Sequence, residues 1–249
     1  MDIYSLLDLY KVNIDERRPF EGELLKQLID YYRIGLTWSS NALEGNTLTE
    51  SETKVLLEDG LTVGGKHLRY TFEAIGHAKA YDFMFTLLNN KTITETDILT
   101  MHQLFYEGIE KEFAGKYRDI DAFITGSKYP VAEPRHIQTE MEELFTWIEE
   151  NRARLHPVVF AAQLHKRFVF IHPFKDGNGR IARLIMNTAL IQDGFMLAVI
   201  PPILRHEYIQ LLEKAHRDDK HFEEFIAERV IESQKEIMRL LHMPIPQKG

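Results

Sequence analysis

The chain has 249 residues, with 30 lysines and arginines against 38 aspartates and glutamates, a formal charge of −8 that argues against a broad nucleic-acid footprint. A composition of 44% hydrophobic and 27% charged residues excludes disorder, collagen and low complexity. With no cysteine, disulfides, zinc–thiolate and iron–sulfur centres and a cysteine nucleophile are excluded too.

The opening MDIYSLLDLYKVNIDERRPF lacks the basic start of a signal peptide, and no apolar run approaches membrane-spanning length. A cytoplasmic protein with no membrane contact is expected. Apolar residues then recur at helical spacing over about 20–44, where Gly45-Asn46 ends the stripe, and Thr49 with Glu52 forms a capping box that starts the next helix. Further stripes run over about 69–89 and 94–108. Between Phe113 and Arg135 the pattern changes: AGKYRDIDAFITGSKYPVAEP has glycines, prolines and short mixed runs, which predict a β-hairpin flap.

From Arg135 to Asn151, Ile137, Met141, Leu144, Phe145 and Ile148 fall on one helical stripe. Helices follow over about 157–171, 178–193 (closed by Gly194 and Pro201-Pro202), 205–216 and 219–242. The expected fold is all-α with a small β-hairpin. A helical extension over 1–60 would precede the main domain over 61–243, and a frayed tail would occupy 244–249.

The chemistry concentrates in Phe170 to Arg183, FIHPFKDGNGRIAR. Pro173 disfavours helical geometry at His172, so one helix stops there and presents the imidazole at its end. Asp176-Gly177-Asn178-Gly179 is turn-forming, and the helix after it has Ile181, Leu184, Ile185 and Thr188 on its apolar side. The first N–H groups of that helix are free, and Gly177 and Gly179 let an anion approach the main chain. Arg180 and Arg183, three apart, share a face and can grip phosphate oxygens in pairs. Asp176 is the hard oxygen ligand available to a Mg²⁺ ion accompanying a polyphosphate, and His172 can take a proton from an attacking hydroxyl. Phe174 points into the core and pins the loop.

These residues resemble the motif of the Fic family, HPFx[D/E]GN[G/K]R followed by a second arginine, and HPFKDGNGRIAR from His172 to Arg183 fills every position. AGKYR at Ala114 to Arg118, ITG at Ile124 to Gly126 and the MEELFTWIEE helix resemble the family's upstream elements. The resemblance implies a Fic-type helical bundle that transfers AMP from ATP to a Ser, Thr or Tyr hydroxyl of a protein, with pyrophosphate leaving. His172 would be the general base and Asp176 the Mg²⁺ ligand. Asn178, with the backbone of Gly177 and Gly179, would hold the α- and β-phosphates; Arg180 and Arg183 would hold the β- and γ-phosphates. Thr125 and Gly126 would also border the nucleotide, and Tyr208 would lie beside the adenine. The flap from Ile124 to Val131, with Ser127, Lys128 and Tyr129, resembles the hairpin that aligns a target segment by main-chain pairing. It departs from the commoner version, which has consecutive prolines where this chain has PVAEP.

Upstream, TWSSNALEGN resembles the family's inhibitory motif [S/T]xxxE[G/N] through Ser40, Glu44 and Gly45. Near a helix C-terminus the dipole disfavours a carboxylate, so Glu44 needs a compensating partner. Arg183 is the expected one, with Ser40, one turn earlier, donating to the same carboxylate. Two alternatives belong to other classes: an ATP-binding regulatory module without turnover, and removal of AMP from a modified target using Glu44. A zinc site built on His165 with His206 or His216 lacks an HExxH pattern and is set aside. The expected partners are ATP and a protein substrate, with a second copy of the chain possible.

Overall fold

A computed structural model describes residues 1–62, 64–90 and 92–246, and among these the regular structure is helical. Ten α-helices follow one another: α1 (Ile3–Asp15), α2 (Gly22–Ala42), α3 (Glu50–Asp59), α4 (Leu68–Thr86), α5 (Glu95–Tyr106), α6 (Ile137–Asn151), α7 (Pro157–Ile171), α8 (Asn178–Gln192), α9 (Arg205–Lys214) and α10 (Lys220–Leu240). Local chemistry sets several starts. Thr49 accepts from the Glu52 N–H while the Glu52 side chain returns to the Thr49 N–H, and Thr94 and Asp97 do the same for α5. Pro157 opens α7, where its missing N–H costs nothing.

The centre of the molecule is the α7–α8 pair. In α8 the expected apolar side is buried, and so are Asn178, Arg180, Ala182, Arg183, Met186, Ala189 and Leu190, so the helix is covered all round. Helices α7, α4, α5 and α2 supply that cover, while α6 and α10 pack on α7. Where α4 crosses α5, a side chain at Gly76 would collide with the Phe105 carbonyl, so this glycine sets how closely the two backbones approach.

Helix α1, which lies before the first apolar stripe read from the sequence at about 20–44, is capped at its start. Asp2 accepts from the Tyr4 and Ser5 N–H groups, and Leu6, Leu7, Tyr10 and Ile14 are buried along one face against α10. Burying each such side chain contributes about 1.5–3 kcal/mol, which ties α1 to the core.

The β-hairpin is not formed; among the described residues there is no strand. A hairpin needs facing main-chain groups to pair with each other, and here they pair elsewhere. Arg118 donates to the Ile120 and Ala132 carbonyls, its own N–H goes to the Pro173 carbonyl, and the Lys128 N–H goes to Glu213. The flap over 116–133 is therefore an irregular loop held by side chains. No helix among the described residues is long and apolar enough to cross a membrane. Of the expected tail, 247–249 lie outside the described residues.

Candidate active site

His172 ends α7 in the left-handed conformation, φ 55° and ψ 56°, a backbone state that costs a non-glycine residue roughly 1–2 kcal/mol and persists only where its surroundings enforce it. Arg118, only 4% exposed, does much of that enforcing, because its Nε donates to the His172 carbonyl at 2.8 Å and its N–H to the Pro173 carbonyl at 2.9 Å. The imidazole is half-buried, with Nδ1 covered and without a partner. That leaves Nε2 as the nitrogen available to a substrate. Burial depresses the His172 pKa; the nearby Val169 carbonyl opposes the shift without cancelling it, so the ring is a neutral base at pH 7.

The turn that follows is pinned from below. Phe174 is fully buried and stacks on His102 at 3.7 Å with the rings 2° from parallel. His102 Nδ1 accepts the Gly115 N–H at 2.9 Å, so its proton resides on Nε2, which donates to the Asp176 carbonyl at 3.2 Å. Both amide atoms of Asn178 bind the Phe174 main chain, Oδ1 accepting at 2.9 Å and Nδ2 donating at 2.8 Å. The resemblance implies that Asn178 holds phosphate; here its side chain holds the Phe174 main chain. Its side chain is 2% exposed and acts as a clamp, so the residue can offer an anion only its main-chain N–H.

Above this foundation the N–H groups of Asn178, Gly179 and Arg180 are left without protein partners at the start of α8. Gly177, with φ 82°, has no room for a Cβ, which would meet the Phe105 ring at 2.8 Å. A Cβ at Gly179 would collide with the Glu44 carboxylate, which places Glu44 over the open end of the helix.

The two arginines have different surroundings. Arg180 is 3% exposed, lies over the Phe105 ring and pairs with Asp176 Oδ1 at 3.1 Å; its Nη1 is 3.1 Å from Glu73 Oε1 without hydrogen-bond alignment. Arg183 donates to Glu44 Oε1 at 2.7 Å, from Nε to Ser40 Oγ at 2.9 Å, to the Ser40 carbonyl at 2.9 Å and to the Tyr208 hydroxyl at 3.4 Å. Burial opposes ionisation of Glu44, but the charges of Arg183 and Arg180 outweigh it and hold the carboxyl below its usual value. Ser40 differs from expectation: it accepts from Arg183 instead of donating to Glu44, because a buried guanidinium has more donors to satisfy than one carboxylate can serve. Gly45, at φ 93°, turns the chain just past α2.

Tyr208 is 5% exposed with its hydroxyl between Arg183 and His165. His165 is itself fully buried, a poor position for a zinc ligand, and no group of three or more metal-binding side chains occurs among the described residues. Asp176 Oδ1 accepts the Gly177 N–H and Arg180, while Oδ2 accepts Arg69 at 2.6 Å.

The flap residues gather on α9. Ser127 and the Lys128 N–H both donate to Glu213 at 2.8 Å, and the Tyr129 ring stacks on His216 at 3.8 Å. Thr125 and Gly126 are exposed at the tip, and the Ile124 carbonyl closes the turn onto the Ser127 N–H. Sequence reasoning missed Arg69, Glu73, His102 and the positioning roles of Arg118 and His165. Only Arg69 and Glu73, an opposite-charge pair four apart, left a local signal, and such pairs are common on helices.

A helix closed by a left-handed histidine, a glycine turn and a second helix with free N–H groups beside two arginines bring together, on an all-α scaffold, the donors that an anion requires. Residues 92–190 match the Fic/DOC family, and the chain carries a Fic domain. A protein adenylyltransferase Fic of Nematostella vectensis is 36% identical over an alignment covering 88% of this chain and 54% of that protein. The chain spans about half the length, or less, of the curated relatives it matches. Among solved structures, Fic-1 of C. elegans superposes with a TM-score of 0.86 at 27% identity, covering 96% of this chain and 73% of that one. A Fic domain containing signaling protein from Bacteroides thetaiotaomicron gives 0.84 at 28% identity, covering 98% and 99%.

Proposed function

We propose that the protein transfers AMP from ATP to a hydroxyl of a protein and that Glu44 restrains it. The observation that carries this reading is the partnerless N–H end of α8, flanked by His172 on one side and by the Glu44–Arg183 pair on the other. The adenylyltransferase names of the relatives support it.

In this mechanism the polyphosphate lies across the Asn178, Gly179 and Arg180 N–H groups, which stabilise charge without reorganising. The target hydroxyl attacks the α-phosphorus, the bond from that phosphorus to the bridging oxygen breaks, and pyrophosphate leaves with the electron pair. The hydroxyl proton goes to His172 Nε2. Asp176 is a partly exposed carboxylate beside those N–H groups, which suits a Mg²⁺ that arrives with phosphate oxygens and keeps several waters. Asp176 would hold the ion once Arg69 yields Oδ2, and the ion would neutralise phosphate charge.

Glu44 holds Arg183 through one charge-assisted bond worth about 1.5–3 kcal/mol. Glu44→Gly should therefore raise AMP transfer about 10- to 150-fold, read as label from α-labelled ATP and as added AMP mass on the protein or on lysate proteins. Equal or lower transfer would refute the restraint. A second reading, removal of AMP from a modified target, is favoured by the same ionised, partly exposed carboxylate at the mouth of the site. In that case Glu44→Gly abolishes AMP release from a modified protein.

A further inference from the structure

Glu44 is one of several groups that hold Arg183, and the others lead to a buried pair that the proposed chemistry does not use. A guanidinium carries five N–H groups in one plane. The Nε–Nη2 edge of Arg183 is filled by Ser40, whose Oγ and carbonyl each accept at 2.9 Å. Nη1 donates to Tyr208 at 3.4 Å, and the remaining Nη2 proton goes to Glu44. One Nη1 proton is left over on a nitrogen that would stand 3.2 Å from a Cβ at Gly179. The Nη1–Nη2 fork thus faces the start of α8, and Glu44 fills only half of it.

The Tyr208 hydroxyl is held in turn. It lies 2.9 Å from His165 Nε2. Arg183 can only donate, so the single Tyr208 proton must go to His165. His165 is fully buried, and burial pushes its pKa down to about 3, so the ring is neutral and Nε2 is free to accept. Its Nδ1 is buried without a partner, which means a solvation cost is retained at this position.

We infer that His165 and Tyr208 are positioning residues which, with Ser40, keep the Arg183 fork aimed at the terminal phosphate. This rests on the ATP-dependent reading above and on the resemblance, which implies that Arg180 and Arg183 hold the β- and γ-phosphates, with Arg183 taken here as the γ-phosphate partner. Preorganisation of this kind contributes affinity by removing an ordering cost.

The test is calorimetric titration of Mg²⁺–ATP and Mg²⁺–ADP into the full chain carrying Glu44→Gly and His172→Ala, which binds without turnover. Adding Tyr208→Phe or His165→Leu should weaken ATP about tenfold and change ADP by less than about twofold. His165→Gln places an acceptor near the Nε2 position and should restore ATP binding to within about twofold. Folded Tyr208→Phe protein with unchanged ATP affinity overturns the inference, as does a common loss for ATP and ADP. Should Tyr208→Phe fail to fold, the His165→Leu and His165→Gln pair decides by the same criterion. If the parent double variant binds neither nucleotide, the ATP-dependent reading itself falls; if it binds both and the added changes are without effect, only the positioning role falls.

Discussion

The turn after α7 and the flap over 116–133 share one arginine and otherwise have little in common. Arg118 binds the His172 carbonyl on one side and the Ile120 and Ala132 carbonyls on the other. In the turn, Phe174, Gly177 and Asn178 are buried, and each backbone choice is enforced by a neighbour. In the flap, Phe123 is 91% exposed and Ile120 52% exposed, and the contacts are side-chain latches to α9. Chemistry that needs placement within fractions of an ångström sits where packing over-determines it. The flap, by contrast, keeps an uncommitted apolar surface.

The comparison breaks most readily at His172. If the turn exists to place that imidazole, His172→Ala should cost about 10²–10⁴ in AMP transfer by the Glu44→Gly protein while ATP affinity stays within a few-fold. Because the His172 pKa is depressed, the wild-type ring stays unprotonated below its ordinary value. The acid limb of kcat/KM in the Glu44→Gly protein should therefore fall below pH 6.5. Near-normal turnover of the alanine variant would remove His172 from the mechanism.

What could be read from sequence divides along the same line. The helix stop at His172 follows from Pro173, and the free N–H groups follow from the glycine turn, because each signal acts within a few residues. The pairing of Arg183 with Ser40, 143 positions away, and of Arg69 with Asp176, 107 away, left no local trace; the Arg183–Glu44 contact was anticipated from the family resemblance and from the need of Glu44 for a compensating cation. The contacts of Asn178 with the Phe174 main chain and of Tyr208 with Arg183 and His165 were not legible, because a motif position says that a residue matters without saying which neighbour it touches. The flap misled for a further reason. Short mixed runs flanking Gly126 fit a hairpin as well as a loop whose carbonyls are taken up by one guanidinium, and Arg118 decides between them only in three dimensions.

Acid should weaken the turn's foundations before it affects the flap's latch. Burial holds the pKa of His165 at about 3 and of His102 at about 4, against an ordinary value of 6.5. The unfolded chain binds protons at these sites as pH drops below 6.5 and the folded chain does not. Their stabilisation is complete above that value and is lost progressively as pH falls toward 4. Between pH 7 and pH 5 each contributes a loss of up to about 2 kcal/mol, seen as a lower urea midpoint. An unchanged midpoint over that interval would mean that the rings accept protons in place.

The smallest effect concerns Glu213, where burial opposes ionisation but the Lys128 N–H and Ser127 hydroxyl hold the carboxyl below its usual value. Main-chain pairing with a target needs flap N–H groups to be free, and Glu213 occupies one of them. Glu213→Ala deletes hydrogen bonds at the molecular surface, so hydrogen exchange at the Lys128 amide should speed about two- to tenfold while exchange across α8 and ATP affinity remain as they were. Faster exchange that spreads into α8 would show that flap and turn form one cooperative unit, and the contrast between them would then be one of exposure alone.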